Sequence, residues 1–178
     1  MHHSEKTEND QDDTAESQLI FRAPVKEDGP AIWRLVVDSG VLDKNSLYTY
    51  LLLCEHFSQT CVLTECDGEI VGFVTGYILP DRDDTVFVWQ IAVDANHRGK
   101  RLASRLLDKL LERTINQKVR YLETTVSPSN LPSDRLFRKL AQRWNAELIL
   151  RGGFPESLFP YDAHEAEPLY RIGPITQP

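Results

Sequence analysis

The chain has 178 residues, of which 41% are hydrophobic and 26% charged, and 27 acids against 20 bases give a net charge of −7. That is the length of one domain and the composition of a soluble globule, and the negative sum argues against a nucleic-acid binder. No apolar run approaches the ~18 residues a membrane helix needs and no signal-peptide pattern opens the chain, so neither membrane nor export is expected and the cytoplasm is the expected compartment.

The sum hides a partition. Residues 1–17 carry Glu5, Glu8, Asp10, Asp12, Asp13 and Glu16 against Lys6, a balance of −5; residues 98–120 carry +6; the remainder carries −8. Residues 1–17 also lack aromatic and β-branched aliphatic side chains, so they are expected to form a disordered acidic tail ahead of a single domain at 18–178. Cys54, Cys61 and Cys66 make no C-x-x-C pair and are expected to be reduced thiols of the core. The five histidines have no metal-ligand spacing, and no metal is expected.

In chain order, Leu19–Arg22 reads as a short strand stopped by Pro24. Asp28 reads as an N-cap, with Pro30 in the first turn of a helix that buries Ile32, Leu35 and Val36 and ends at Gly40. Ser46 reads as the cap of a second helix through Tyr50, Leu51, Leu53, Cys54 and Phe57. Thr60–Thr64 is a β-branched strand, Asp67-Gly68 a hairpin turn and Ile70–Leu79 the return strand. Pro80–Asp84 reads as a loop. Thr85–Val93 is a nearly continuous apolar run, the pattern of a strand covered on both faces. Leu102, Leu106, Leu107, Leu110 and Leu111 mark a helix to about Ile115. Tyr121–Val126 is a strand broken by Pro128, and Pro132 starts a helix with Leu136, Phe137 and Leu140. Glu147–Leu150 is a weak strand, Gly152–Pro160 a loop, and Pro168–Ile172 a last strand. The order β-α-α-β-β-β-α-β-α-β-β defines an α/β domain around a mixed sheet.

The chemistry concentrates where the apolar strand meets the long helix. Arg98, Lys100 and Arg101 read as the first turn of that helix, where the dipole disfavours cations, an arrangement that makes sense if an anion binds there. No Walker loop and no G-x-G-x-x-G is present. The segment instead resembles the GNAT superfamily of acetyl-CoA-dependent N-acetyltransferases. The R/Q-x-x-G-x-G/A loop that cradles the coenzyme A pyrophosphate in that family reads Arg98-x-x-Arg101-x-Ala103 here, after the Ile91-Ala92-Val93 strand end, with Arg101 where the family has Gly. Asn130 followed by Leu136-Phe137 resembles the family's N-x-x-A-x-x-L-Y segment beside the pantetheine and thiol. Ser133 replaces its Ala. Phe137 replaces the Tyr that often protonates the leaving thiolate, so that acid role is not carried over.

The resemblance covers about residues 18–172 and implies a GNAT fold, acetyl-CoA as co-substrate, and cofactor contacts from Ile91, Ala92, Val93, Arg98, Gly99, Lys100, Arg101, Leu102, Ala103, Asn130 and Phe137. Further patches resemble the branch that acetylates L-2,4-diaminobutyrate in ectoine biosynthesis: Leu42-Asp43-Lys44-Asn45-Ser46-x-Tyr48-x-Tyr50-Leu51-Leu52-Leu53 with His56-Phe57, Phe87–Val93, Thr124-Thr125-Val126-x-Pro128-x-Asn130, and His164-Glu165-x-Glu167. They imply a small cationic diamino acid as acceptor, a homodimer, and Asp43, Trp89 and Glu165 on the substrate. The alternatives are a GNAT enzyme for another small diamine or a peptide N-terminus, and a non-catalytic acyl-CoA-binding module.

An alkylammonium must lose a proton before it attacks a thioester. The strand Thr85–Val93 offers no carboxylate at the usual GNAT position. Tyr48 is the candidate acid, His164, a carboxylate such as Glu165, or a water chain the candidate base, and the N–H of Ile91 the candidate donor to the thioester carbonyl. Ping-pong transfer through Cys54, Cys61 or Cys66 is the rival route.

Overall fold

A computed structural model describes residues 18–40, 42–159 and 164–176. The expected acidic tail at 1–17 lies outside the described residues. Among the described residues the chain runs β1 (Leu19–Arg22), α1 (Gly29–Ser39), α2 (Leu47–His56), β2 (Val62–Cys66), β3 (Glu69–Leu79), β4 (Arg82–Val93), α3 (Leu102–Ile115), β5 (Tyr121–Thr125), α4 (Leu131–Arg143), β6 (Glu147–Phe154) and β7 (Glu167–Gly173). This is the element order read from the sequence. The strands form one mixed sheet, ordered β1-β2-β3-β4-β5-β7-β6, in which β4 and β5 are parallel and the other neighbours antiparallel.

Two helix pairs cover the sheet. The leucine stripe of α3 (Leu106, Leu107, Leu110, Leu111) and Phe137 and Leu140 of α4 pack on Val62, Val74, Val86, Val88, Leu122 and Ile172. On the opposite face Ile32 and Val36 of α1 and Tyr50 and Leu53 of α2 pack on Leu63 and Phe73. The side chains of Glu123 on β5 and of Leu169 and Glu167 on β7 line a cavity instead.

Several local readings are corrected. Asp28 precedes α1 but does not cap it; its carboxylate accepts both Arg22 guanidinium N–H groups (2.7 and 2.9 Å) and the Val25 N–H (2.7 Å). Burial works to raise its pKa, and these bonds outweigh burial and hold it below the usual range. Glu65 also takes Arg22, so one guanidinium joins β1, β2 and the entry to α1. The Ser46 hydroxyl meets the Thr49 hydroxyl (3.2 Å) rather than a backbone N–H. Thr60 belongs to a 3₁₀ turn, and β2 starts at Val62. The expected loop at Pro80–Asp84 is a two-residue turn, because β4 pairs with β3 from Arg82 onward. The Gly152-Gly153 pair is a bulge within β6, facing β7 between Arg151 and Phe154. Gly153 has φ 88°, and a Cβ there would run into the Glu167 carbonyl, which explains glycine at a position read as loop.

Candidate active site

β4 and β5 pair over only three residues, Thr85–Phe87 against Tyr121–Glu123. Beyond Phe87 the strands part. On its other side β4 carries a bulge: Thr75 of β3 faces Gln90 and Gly76 faces Val88, so Trp89 has no partner. An extra residue bends a strand and re-aims its side chains. The β4 edge from Val88 to Val93 therefore faces an opening instead of a neighbouring strand. A cavity of about 690 Å³ occupies it, with Trp89, Gln90 and Ile91 on one wall, Thr124, Thr125, Val126, Asn130 and Phe137 on another, and Asp43, His164 and Glu167 around the acceptor end. Thr85–Val88 is covered as the apolar run implied. Trp89 is not core; it is 37% exposed in the cavity wall.

At the acceptor end, His164 stacks on Phe159 with ring centroids 4.2 Å apart. Its Nδ1 lies 2.7 Å from the Glu165 carbonyl, which only accepts, so Nδ1 carries the proton. Nε2 then faces Asp43 Oδ2 at 3.8 Å and Glu167 Oε1 at 4.0 Å. The bond to the Glu165 carbonyl, then the charges of Asp43 and Glu167, raise the His164 pKa above its ordinary value. Asp43 and His164 thus meet across the cavity, although they lie 121 positions apart in the chain.

Other candidates fall elsewhere. Glu165 does not line the cavity: its Oε2 accepts the Ser129 N–H (2.9 Å), a bond that lowers its pKa. It fastens the β5–α4 loop, and Glu167, two residues on, faces the cavity in its place. Glu165 lies before β7, whereas Glu167 is its first residue and follows the parity of the strand. Tyr170 and Ile172 face the core, so Glu167, Leu169 and Arg171 share the other face. Tyr48 does not line the cavity; it stands on the exposed side of α2 at 65% exposure. The thiol route fails on geometry and on chemistry. All three cysteines are buried, and burial pushes Cys54 up to about 12 and Cys61 up to about 11, far from a thiolate.

The sequence reading also missed Glu123, a buried carboxylate in the cavity wall. Arg82 binds it through both terminal nitrogens (2.7 and 3.1 Å) and Arg171 through one (2.6 Å). The same parity, with Leu122 in the core, places Glu123 on the acceptor face.

At the cofactor end, Asp94 accepts the Asn96 N–H and meets His97 Nδ1 at 3.0 Å, closing the turn that leads into Arg98-Gly99-Lys100-Arg101. These residues precede α3; its first turn, by contrast with the sequence reading, begins at Leu102. Gly99 has φ 82° with open space around it. Arg101 has φ 59°, the left-handed conformation that suits the family's Gly and costs another residue roughly 1–2 kcal/mol. Its backbone therefore follows the expected path despite the substitution. Leu102 is buried against Cys66 and Val71, and Ala92 and Val93 pack against the core, so these three offer only backbone to a cofactor. Asn130 caps α4 by accepting the Ser133 N–H (3.1 Å).

A loop with left-handed backbone at Gly99 and Arg101 and cationic side chains, leading into a helix N-terminus beside a splayed parallel strand pair, suits a phosphorylated cofactor with an acyl thioester at its end. The class is an acyl-CoA-dependent transferase, and a family model described as acetyltransferase (GNAT) family matches residues 23–141. The chain belongs to that family. Within it the chain is similar to the L-2,4-diaminobutyric acid acetyltransferase of Marinococcus halophilus, 51% identical over 159 residues that cover 89% of this chain and 92% of the relative. The protein of that name from Streptomyces anulatus is also 51% identical, covering 88% and 90%. Among solved structures, the diaminobutyrate acetyltransferase of Paenibacillus lautus, in complex with its substrate L-2,4-diaminobutyric acid and coenzyme A, superposes with a TM-score of 0.87 at 39% identity, covering 92% of this chain and 99% of that one. Ard1 from Thermoplasma volcanium (TM-score 0.74, 18% identity, covering 89% and 99%) shares the fold.

Charge reversal at Arg98 and Lys100 together should raise the Michaelis constant for acetyl-CoA at least about tenfold and leave that for the amine nearly unchanged, since charge-assisted phosphate contacts are each worth about 1.5–3 kcal/mol. Steady-state kinetics with each substrate varied in turn checks it.

Proposed function

We propose that the chain transfers the acetyl group of acetyl-CoA to the 4-amino group of L-2,4-diaminobutyrate, giving N4-acetyl-L-2,4-diaminobutyrate, a step of ectoine biosynthesis. The observation that carries this reading is the placing of Asp43 and Glu167 about His164 at one end of the splayed β4–β5 opening, with the phosphate-binding loop at the other. The acceptor has two ammonium groups and one carboxylate, a net charge of about +1 at neutral pH. Two carboxylates at the acceptor end suit it. The relatives named for the same acetyl transfer, and the neighbour holding that substrate with coenzyme A, support it.

In this reading Asp43 and Glu167 hold ammonium and His164 Nε2, unprotonated, takes the proton of the attacking nitrogen. The nitrogen attacks the thioester carbonyl, the freed β4 edge at Ile91 donates to the oxyanion, and the C–S bond then breaks to release coenzyme A. Phe137 has no hydroxyl, so the thiolate is not protonated from that position. The reaction belongs in the cytoplasm. A second copy of the chain covers the β6 edge, where Ile149, Leu150 and Phe154 are exposed; light scattering at the mass of a homodimer checks this.

Coenzyme A release with diaminobutyrate, but not with polyamines or peptide N-termini, and an NMR spectrum placing acetyl on N4 are the expected results. Tight acetyl-CoA binding without release on any amine would mean a binding module instead.

A further inference from the structure

Gln90 is a carboxamide, 7% exposed, in a run of apolar strand residues, and it follows directly on the unpaired Trp89. One end meets the Tyr50 hydroxyl of α2 (2.8 Å) and the other the Asp43 carbonyl (3.0 Å). A carbonyl only accepts, so Nε2 must face Asp43 and Oε1 must accept from Tyr50. Both partners are needed, since a buried carboxamide with an empty end is costly. An apolar side chain of similar length would fill the same space without that demand.

Segment 43–46 belongs to no helix or strand, yet it is fastened from two sides. Trp33 Nε1 of α1 donates to the Asn45 carbonyl (3.1 Å), and Gln90 holds the Asp43 carbonyl from β4. Asn45 Nδ2 adds a longer bond to that carbonyl (3.4 Å). Gln90 is therefore a direct link between the acceptor loop and the bulged strand. Trp89 and Ile91, its chain neighbours, line the cavity beside it.

We propose that Gln90 is a positioning residue for the acceptor amine. Braced by Tyr50, it sets the distance between the Asp43 carboxylate and the Trp89–Ile91 backbone, and thereby how far a bound amine reaches along the cavity. The inference rests on the proposed function for the identity of the amine, but not for the anchoring itself.

The test compares Gln90→Met, Gln90→Glu and Tyr50→Phe. Gln90→Met should raise the Michaelis constant for diaminobutyrate about tenfold with that for acetyl-CoA within about twofold, the effect of losing a buried bond that orients a charge-bearing loop. Gln90→Glu should not rescue, because a carboxylate turns lone pairs toward the Asp43 carbonyl. Tyr50→Phe should cost only about threefold, as the bond to Asp43 survives. In an Asp43→Ala background, Gln90→Met should add less than about twofold, because the group it positions is gone. A full tenfold effect in that background, or a parallel rise for acetyl-CoA, would overturn the proposal. Backbone order of residues 43–46, read from 15N NMR relaxation without substrate, should fall in Gln90→Met while Thr85–Val88 stays rigid; unchanged order would also overturn it. Should the wild type leave diaminobutyrate unacetylated, the functional reading falls, the relaxation data still decide the anchoring, and the amine found to be the acceptor takes its place in the kinetic comparison.

Discussion

Asp43→Ala raises the Michaelis constant for L-2,4-diaminobutyrate about thirtyfold and leaves that for acetyl-CoA within about twofold. The magnitude follows from the loss of a charge-assisted hydrogen bond to an ammonium, about 1.5–3 kcal/mol, or roughly ten- to a hundredfold. The selectivity follows from position. Asp43 stands between α1 and α2 with an exposed carboxylate, 3.8 Å from His164, whereas the Arg98–Arg101 loop lies past the far end of β4. Asp43→Asn should fall between the two, since an amide keeps an acceptor oxygen and loses the charge. Steady-state kinetics on purified variants checks both; an unchanged constant for the amine would remove Asp43 from the site.

Glu123→Ala destabilises the protein by about 3 kcal/mol, read as a fall in Tm of about 9 °C for a chain of this length. The carboxylate is 1% exposed and neutralises two guanidiniums. The partners are unequal. Arg171 is 14% exposed and lies 3.8 Å over the Tyr121 ring, so it cannot turn to water when Glu123 is removed. Arg82 is 40% exposed and can be rehydrated. The uncompensated charge therefore falls on Arg171, which sets the cost at the lower end of the ~3–5 kcal/mol expected for breaking a buried pair. Arg82→Ala should cost clearly less than Glu123→Ala, because Arg171 still neutralises the carboxylate. Thermal unfolding of the two variants side by side checks the order, and equal losses would show that Arg171 is not the stranded charge.

The elements of this chain were legible because their signals are local. The leucine stripe of α3, the Asp67-Gly68 turn, and the apolar run of β4 each report a period or a turn through neighbours a few residues apart. The errors arose where a side chain chose a distant partner over a near one. Asp28 precedes a helix as a cap residue should, yet Arg22 takes its carboxylate. Gly152-Gly153 reads as loop until the β7 backbone is brought against it. Arg101 replaces a glycine in the motif, and its left-handed φ shows that backbone path and side-chain identity are separable there.

By itself the sequence determined the class of fold through periodicity, and through contiguous motifs it pointed to Arg98–Ala103 as a candidate cofactor loop and to Asp43, Trp89 and His164 as candidate site residues. Only the tertiary structure decided that Glu167 and not Glu165 faces the cavity, that Tyr48 stands outside it, that the cysteines are buried away from it, and that Gln90 and Glu123 belong to its walls. The physical reason is one of range. Helical and strand periods act between near neighbours, whereas burial, charge pairing and the parting of β4 from β5 depend on residues 36 to 121 positions apart meeting in space.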